Sequence, residues 1–123
     1  TEVISVLNKI KPPYNVNELS QKRALERLAD TDKISTEIAS IIRQREDLLE
    51  VLLHVEFVKK IYPTEANFIL VKVDDANKRY AELIAKGIVI RNRTMQPLCD
   101  NCLRLTVGTE LENRKLMAVL KQL

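Results

Sequence analysis

Glycine occurs only twice in the 123 residues, at Gly87 and Gly108, so no glycine-rich loop is available to cradle a phosphate. Histidine occurs once, as His54, and cysteine twice, as Cys99 and Cys102. A structural zinc ion needs four ligands, and this Cys-x-x-Cys pair lacks two more at suitable spacing. A redox-active pair is expected at a helix N-terminus, where the dipole favours the thiolate. Here the pair falls in a loop entering a strand, and it reads as two reduced thiols. Tryptophan is absent, and three tyrosines and two phenylalanines are the whole aromatic content. With so few aromatics, and with 20 Lys+Arg interspersed among 17 Asp+Glu for a net charge of +3, a nucleic-acid role has little support. No run of 18 apolar residues exists to span a membrane. No nucleophile–base set and no metal-ligand cluster is visible, and no signal peptide is recognised.

What is present suits a globular domain. Hydrophobic residues make up 46% of the chain, enough for a real core at this length. The first residue is not Met, and Thr1–Leu7 already looks helical, so the sequence reads as cut from something longer. Residues 1–10 look like the tail of a helix, stopped by Pro12-Pro13. Asn15–Asn17 offers a cap for a helix over 18–28, with Leu19, Ala24, Leu25 and Leu28 as its apolar positions. After a break and cap at Asp30–Asp32, the spacing of Ile34, Ile38, Ile41, Ile42, Leu48, Leu49 and Leu52 predicts a long helix over 33–53.

From His54 the texture changes. Strands are expected at 57–62 and 67–73, the second nearly continuous in hydrophobicity and so central. Asp74-Asp75 caps a helix over 76–86, with Tyr80, Leu83 and Ile84 inward and Gly87 as its stop. A short strand at 88–90, a polar loop at 92–101 and a strand at 103–107 come next. Thr109-Glu110-Leu111-Glu112 is a capping box for a last helix over 110–123, with Leu111, Leu116, Met117, Val119, Leu120 and Leu123 apolar. The expected class is α/β: long N-terminal helices, then a two-layer β-β-α-β-β-α module with a small mixed sheet and helices on one face. Residues 1–30 read as linker helices, 31–53 as a long connecting helix, and 54–123 as a small α/β domain.

The most informative segment is Cys102-Leu103-Arg104-Leu105-Thr106-Val107-Gly108-Thr109. A guanidinium in a strand interior is costly without a partner. If Arg104 points inward, it calls for an anion that its planar fork can hold bidentately, a carboxylate or a phosphate. The alternative is an arginine on the solvent face of an edge strand. Arg91 and Arg93, at the end of the preceding short strand, can reach the same rim or can be solvated loop charges.

These segments resemble a known family. Leu7–Asn17, Tyr62–Val71, Gly87–Arg93 and Cys102–Thr109 together are similar to the C-terminal part of the histidinol-phosphate aminotransferases, pyridoxal-phosphate enzymes of the aspartate aminotransferase fold group. The resemblance implies that residues 1–30 are a remnant of a large domain with its linker helices, and 54–123 the small domain. It implies an amino transfer between L-histidinol phosphate and 2-oxoglutarate, in a cytoplasmic homodimer of histidine biosynthesis. Arg104 is then the residue that binds the substrate anion, phosphate or carboxylate, and Arg91 assists on the phosphate. The Schiff-base lysine and the cofactor-phosphate ligands of the family lie upstream, so this chain holds no catalytic and no cofactor-binding residue. Such a piece keeps the anion-binding groups, loses the chemistry, and is expected to be inactive alone. Asn92 stands where the family commonly has Asp. A related aminotransferase, a threonine-phosphate decarboxylase, or a free-standing regulatory domain that binds a small molecule are the alternatives.

Overall fold

In the computed structural model, residues 2–11, 14 and 16–123 are described. The expected helix stop at Pro12-Pro13 and the first capping candidate, Asn15, lie outside them, as does Thr1. The elements are α1 (Glu2–Ile10), α2 (Glu18–Leu28), α3 (Thr31–Leu52), β1 (Val58–Ile61), β2 (Phe68–Val73), α4 (Ala76–Ala85), β3 (Arg91–Asn92), β4 (Cys102–Thr106) and α5 (Glu110–Leu120). The class and the element order are those expected. The chain falls into two compact units, Thr1–Ser35 and Thr36–Leu123.

In the first unit, α1 and α2 bury no residue. Local bonds therefore hold α2. The Asn17 side chain accepts the Ser20 N–H at 2.9 Å, and Gln21 Nε2 donates to the Val16 carbonyl at 2.9 Å. Its expected inner positions Leu19 and Leu25 are 80% and 70% exposed. The α3 cap sits earlier than the spacing suggested. Asp30 Oδ1 accepts the Lys33 N–H at 3.2 Å and the Asp30 carbonyl accepts Ile34 N–H at 3.1 Å, so Thr31 is already helical.

The second unit is a four-stranded sheet, order β1-β2-β4-β3, covered by helices on one face. Every pairing is antiparallel, so the sheet is not mixed as the sequence suggested. The reason is the route of the chain after α4, which brings it to the far side of β4 rather than beside β2. In β2 the alternate residues Ile69, Val71 and Val73 are buried, opposite Leu105 and Leu103 of β4. Leu48 and Leu52 of α3, Leu83 of α4, and Leu116 and Leu120 of α5 complete this core. Burial along α3 is confined to Gln44, Leu48 and Leu52; Ile38, Ile41 and Ile42 are exposed, contrary to the expected continuous stripe. Leu111 and Ile84 are likewise exposed: Leu111 lies on the side of α5 opposite Leu116 and Leu120, and Ile84 just beyond the arc of α4 centred on Leu83.

Residues 88–90 are not a strand. Gly87 adopts φ +76°, and its N–H and that of Ile88 return to the carbonyls of Ile84 and Leu83, each at 2.9 Å. This closes α4 with two crossed bonds and commits the Ile88 amide to the helix end. Pairing starts only at Arg91. The capping box is present as read: Thr109 N–H donates to Glu112 Oε2 at 2.8 Å, and Thr109 Oγ1 accepts from the Glu112 N–H at 3.4 Å.

The bonds from the Thr109 hydroxyl and backbone hold the Glu112 carboxyl below its ordinary pKa. Its contribution to α5 is therefore complete above the ordinary glutamate range and is lost as pH falls through the depressed value. Acid titration of helix content by circular dichroism should show this loss in the wild-type chain. Glu112→Gln should flatten that part of the curve while lowering stability at neutral pH. An unchanged acid profile in the variant would remove the carboxylate from the account.

Candidate functional site

The face of the sheet turned away from the core carries the chemistry. Side chains alternate, so burial of Leu103 and Leu105 sends Cys102, Arg104 and Thr106 to the opposite face. Leu70 of β2 and Arg91 of β3 flank Arg104 in register, giving a row Leu70–Arg104–Arg91 across three strands. β4 is an interior strand, so Arg104 is not the edge residue of the alternative reading. Nor does it enter the hydrocarbon core. It is half-buried on the outer face, with its guanidinium carbon 5.1 Å from the centre of the Phe68 ring.

Two features of this arrangement set Arg104 apart. Arg104 Nε is covered from solvent and has no hydrogen-bond partner. Two guanidiniums placed directly opposite one another on paired strands repel. Among the described residues, neither Arg91, Arg93 nor Arg104 forms an ion pair, although Arg23, Arg27, His54, Lys72, Lys78, Arg79 and Arg114 all lie within ion-pair distance of a carboxylate. An oxyanion held between Arg104 and Arg91 relieves the repulsion. The sequence brought Arg91 and Arg104 to one rim, and the register places them face to face. Arg93 is half-buried one step beyond β3, its N–H donating to the Cys102 carbonyl at 2.8 Å.

Asn92 does not make an ion pair; its Nδ2 donates to Asn77 Oδ1 of α4 at 2.8 Å, and its Oδ1 accepts the Thr94 N–H at 2.9 Å. An aspartate there could not make the first of these bonds. Cys99 and Cys102 are free thiols at the corners of a turn closed by Cys102 N–H to Cys99 C=O at 3.0 Å. Burial raises the Cys102 thiol above its ordinary pKa, which makes it a poor nucleophile. No cluster of three metal-ligating side chains occurs among the described residues. A concavity of about 450 Å³ lies elsewhere, between Ile88–Ile90, Gly108 and Leu116, and neither Arg91 nor Arg104 lines it.

Pyridoxal phosphate needs a lysine held in a closed site. Among the described residues Lys72 is half-buried and ion-paired to Asp100 at 3.8 Å, and every other lysine is exposed. The residues here do not fit its anchoring, and no step of the chemistry is assigned to them.

Sequence reasoning missed Phe68 as the plate under Arg104, because that contact depends on strand register. It also missed Arg79. Asp75 caps α4 as expected, accepting the Lys78 N–H at 3.0 Å. Asp74 instead receives Arg79 bidentately, Nε to Oδ1 at 2.9 Å and Nη2 to Oδ2 at 2.6 Å, and Nη1 bonds Glu82 at 2.9 Å. The same guanidinium lies 4.5 Å over the Phe57 ring. The hydrogen bonds from Arg79 hold the Asp74 carboxyl far below the usual range, and Asp74 in turn holds the guanidinium charged. This is a closed structural site. Arg79→Ala should cost about 1.5–3 kcal/mol of stability, the worth of hydrogen bonds to charged groups. Urea unfolding measures it; a cost near zero would show a solvated surface pair.

Comparisons with known proteins identify the family. The model of the family described as aminotransferase class I and II matches residues 1–120. A histidinol-phosphate aminotransferase of Flavobacterium johnsoniae is 74% identical over 121 residues, covering 98% of this chain. One of Flavobacterium psychrophilum is 57% identical over 121 residues. The chain spans about a third of these relatives, 35% of each. Among solved structures, the histidinol-phosphate aminotransferase of Clostridium acetobutylicum superposes with a TM-score of 0.80 at 27% identity, covering 98% of this chain and 37% of that one.

Proposed function

Because this chain belongs to the aminotransferase class I and II family, we propose that it is the anion-binding small-domain part of a histidinol-phosphate aminotransferase. The longer protein transfers an amino group between L-histidinol phosphate and 2-oxoglutarate, with glutamate as the other product. Arg104 binds the substrate anion through its planar fork, and Arg91 adds a second contact. The phosphate of one substrate and the carboxylate of the other use the same pair. The observation that carries this reading is the unpaired Arg91–Arg104 juxtaposition on β3 and β4. The centre of the Phe68 ring lies 5.1 Å from the guanidinium carbon, and the Nη groups are the ones that would meet the anion.

The remaining parts of the reading concern the longer protein. Residues 1–30 are a remnant of its large domain and linker helices, 31–53 the connecting helix, and 54–123 the small domain. Exposed Val3, Leu7, Leu19 and Leu25 support this, since such apolar surface calls for a cover. Its cofactor is pyridoxal 5'-phosphate, held by residues outside this chain. Its setting is a cytoplasmic homodimer, and no described helix is long and apolar enough to cross a membrane.

Arg104→Ala in the full-length enzyme should lower kcat/KM by roughly 30- to 5,000-fold, from about 2–5 kcal/mol for truncating one member of a desolvated charge pair. The loss should appear with histidinol phosphate and with glutamate. Arg104→Lys keeps the charge but loses the fork, and should remain harmful. Arg91→Ala should hurt the phosphate substrate more. Normal turnover of both substrates by Arg104→Ala would overturn the assignment. The 123-residue chain alone should show no aminotransferase activity with added pyridoxal phosphate; turnover with borohydride trapping of one lysine would contradict it.

A further inference from the structure

Asn113 is buried, 1% exposed, on the first turns of α5, and it touches nothing charged. Its carboxamide grips the backbone of Gly108 on both sides. Asn113 Oδ1 accepts the Gly108 N–H at 2.9 Å, and Nδ2 donates to the Gly108 carbonyl at 3.0 Å. The second Nδ2 hydrogen goes to Gln44 Oε1 of α3 at 3.0 Å, and Gln44 is itself buried. These are the two buried polar side chains of the chain's described core, and they bond to each other. Each hydrogen of the Asn113 amide is used, so the orientation of the group is fixed.

The location of this clamp gives it a consequence. The β2–β4 ladder ends with Phe68 opposite Thr106, then Val107 N–H to the Asn67 carbonyl at 2.8 Å. Gly108 comes next, and Asn113 takes the place of a strand partner for it. On the other strand, Arg45 Nη1 donates to the Ala66 carbonyl at 3.0 Å, just before β2. Neighbouring residues of α3 thus act at the end of the ladder where Phe68 lies by Arg104, Arg45 directly on the β2 side and Gln44 through Asn113 on the β4 side. A β-strand slides or twists most easily at a free end. Here the approach to β2 is tied to α3, and the end of β4 is tied to α5, which Asn113 joins to α3 through Gln44. Gly108 suits the close approach, since a Cβ there would meet Glu112 Oε2 at 2.7 Å.

We propose that Asn113 and Gln44 are positioning residues of the anion site: through Gly108 they fix the end of β4 and so the placement of the Arg104 fork over Phe68. The inference rests on the reading of Arg104 as the anion-binding residue. Neither side chain touches substrate. Their effect is on the geometry of Arg104, and so on anion affinity rather than on the chemical step.

The test uses the full-length enzyme, with inorganic phosphate as a competitive probe. Gln44→Met keeps the volume and removes the carboxamide that accepts from Asn113; Asn113→Ala removes the whole clamp. Each should raise KM for histidinol phosphate and for glutamate, and Ki for phosphate, on the order of 10-fold. That is below the roughly 100-fold that a misplacement of about 1 Å can cost. The kcat should stay within about twofold, an expectation for binding lost equally in ground and transition states. In an Arg104→Ala background the same substitutions should leave KM and Ki unchanged, because the residue they position is gone. If Asn113→Ala does not fold, Gln44→Met alone carries the comparison. A fall in melting temperature with KM and Ki at wild-type values would overturn the proposal and leave the clamp purely structural. If Arg104→Ala raises both constants while Gln44→Met and Asn113→Ala do not, this inference alone falls. If Arg104→Ala itself leaves both unchanged, the anion site is wrong and the inference falls with it.

Discussion

The pairing of β2 with β4 governs the arrangement of the second unit. It joins Phe68–Lys72 to Cys102–Thr106, segments separated by a helix, a short strand and a long loop. One face of this ladder presents Ile69, Val71, Leu103 and Leu105, which α3, α4 and α5 cover. The other face is thereby determined as well, because side chains alternate. Arg104 stands outside the core for the same reason that Leu103 and Leu105 stand inside it. A slip of one residue would exchange them, placing the guanidinium among leucines, and the register is correspondingly well specified. β3 then has only one neighbour to choose, and its two residues set Arg91 against Arg104.

How much of this was legible in the sequence varies with the range of the force involved. The local signals held. Gly87 closes α4 with positive φ, Asp75 and Asn17 cap their helices, and Thr109 with Glu112 forms the reciprocal box. Each depends on residues within four positions. What failed depends on where an element stops and on what packs against it. Ile88–Ile90 has strand composition, yet Ile88 gives its amide to the Schellman-type end of α4 and Ile90 turns into the core. The apolar spacing of α3 continues through Ile38, Ile41 and Ile42, but only the turns from Gln44 onward lie buried. Periodicity shows which face of a helix is apolar, not how far along that face a partner extends.

The candidate site was legible in part for the same reason. That an arginine inside an apolar strand is unusual can be read from Cys102–Val107 alone. That Arg91 is its cross-strand neighbour needs the register, and that Phe68 lies beneath it needs the twist of the pair. Asn113 and Gln44 carry no warning in sequence at all. Each is an ordinary polar residue on an amphipathic helix, and their burial comes only from α3 and α5 converging beside the end of β4. Polar residues buried at such a convergence must satisfy one another, because a polar group left unbonded away from solvent is costly.

Two arginines on this module lean on phenylalanine rings, and the contrast between them separates scaffold from site. Arg79 rests on Phe57 and commits its remaining N–H edge to Asp74 and Glu82. Its charge is neutralised inside the chain, and it has nothing left to offer a ligand. Arg104 rests on Phe68 in the same manner, but its Nε is covered and unbonded and its nearest charged neighbour in register is another arginine. The aromatic plate fixes the plane in both cases. In the first the fold completes the hydrogen bonding; in the second it leaves Nε unbonded and sets Arg91 opposite. The same ring contact thus accompanies a closed brace at one end of β2 and, at the other, a guanidinium with no ion-pair partner, on which the proposed anion site rests.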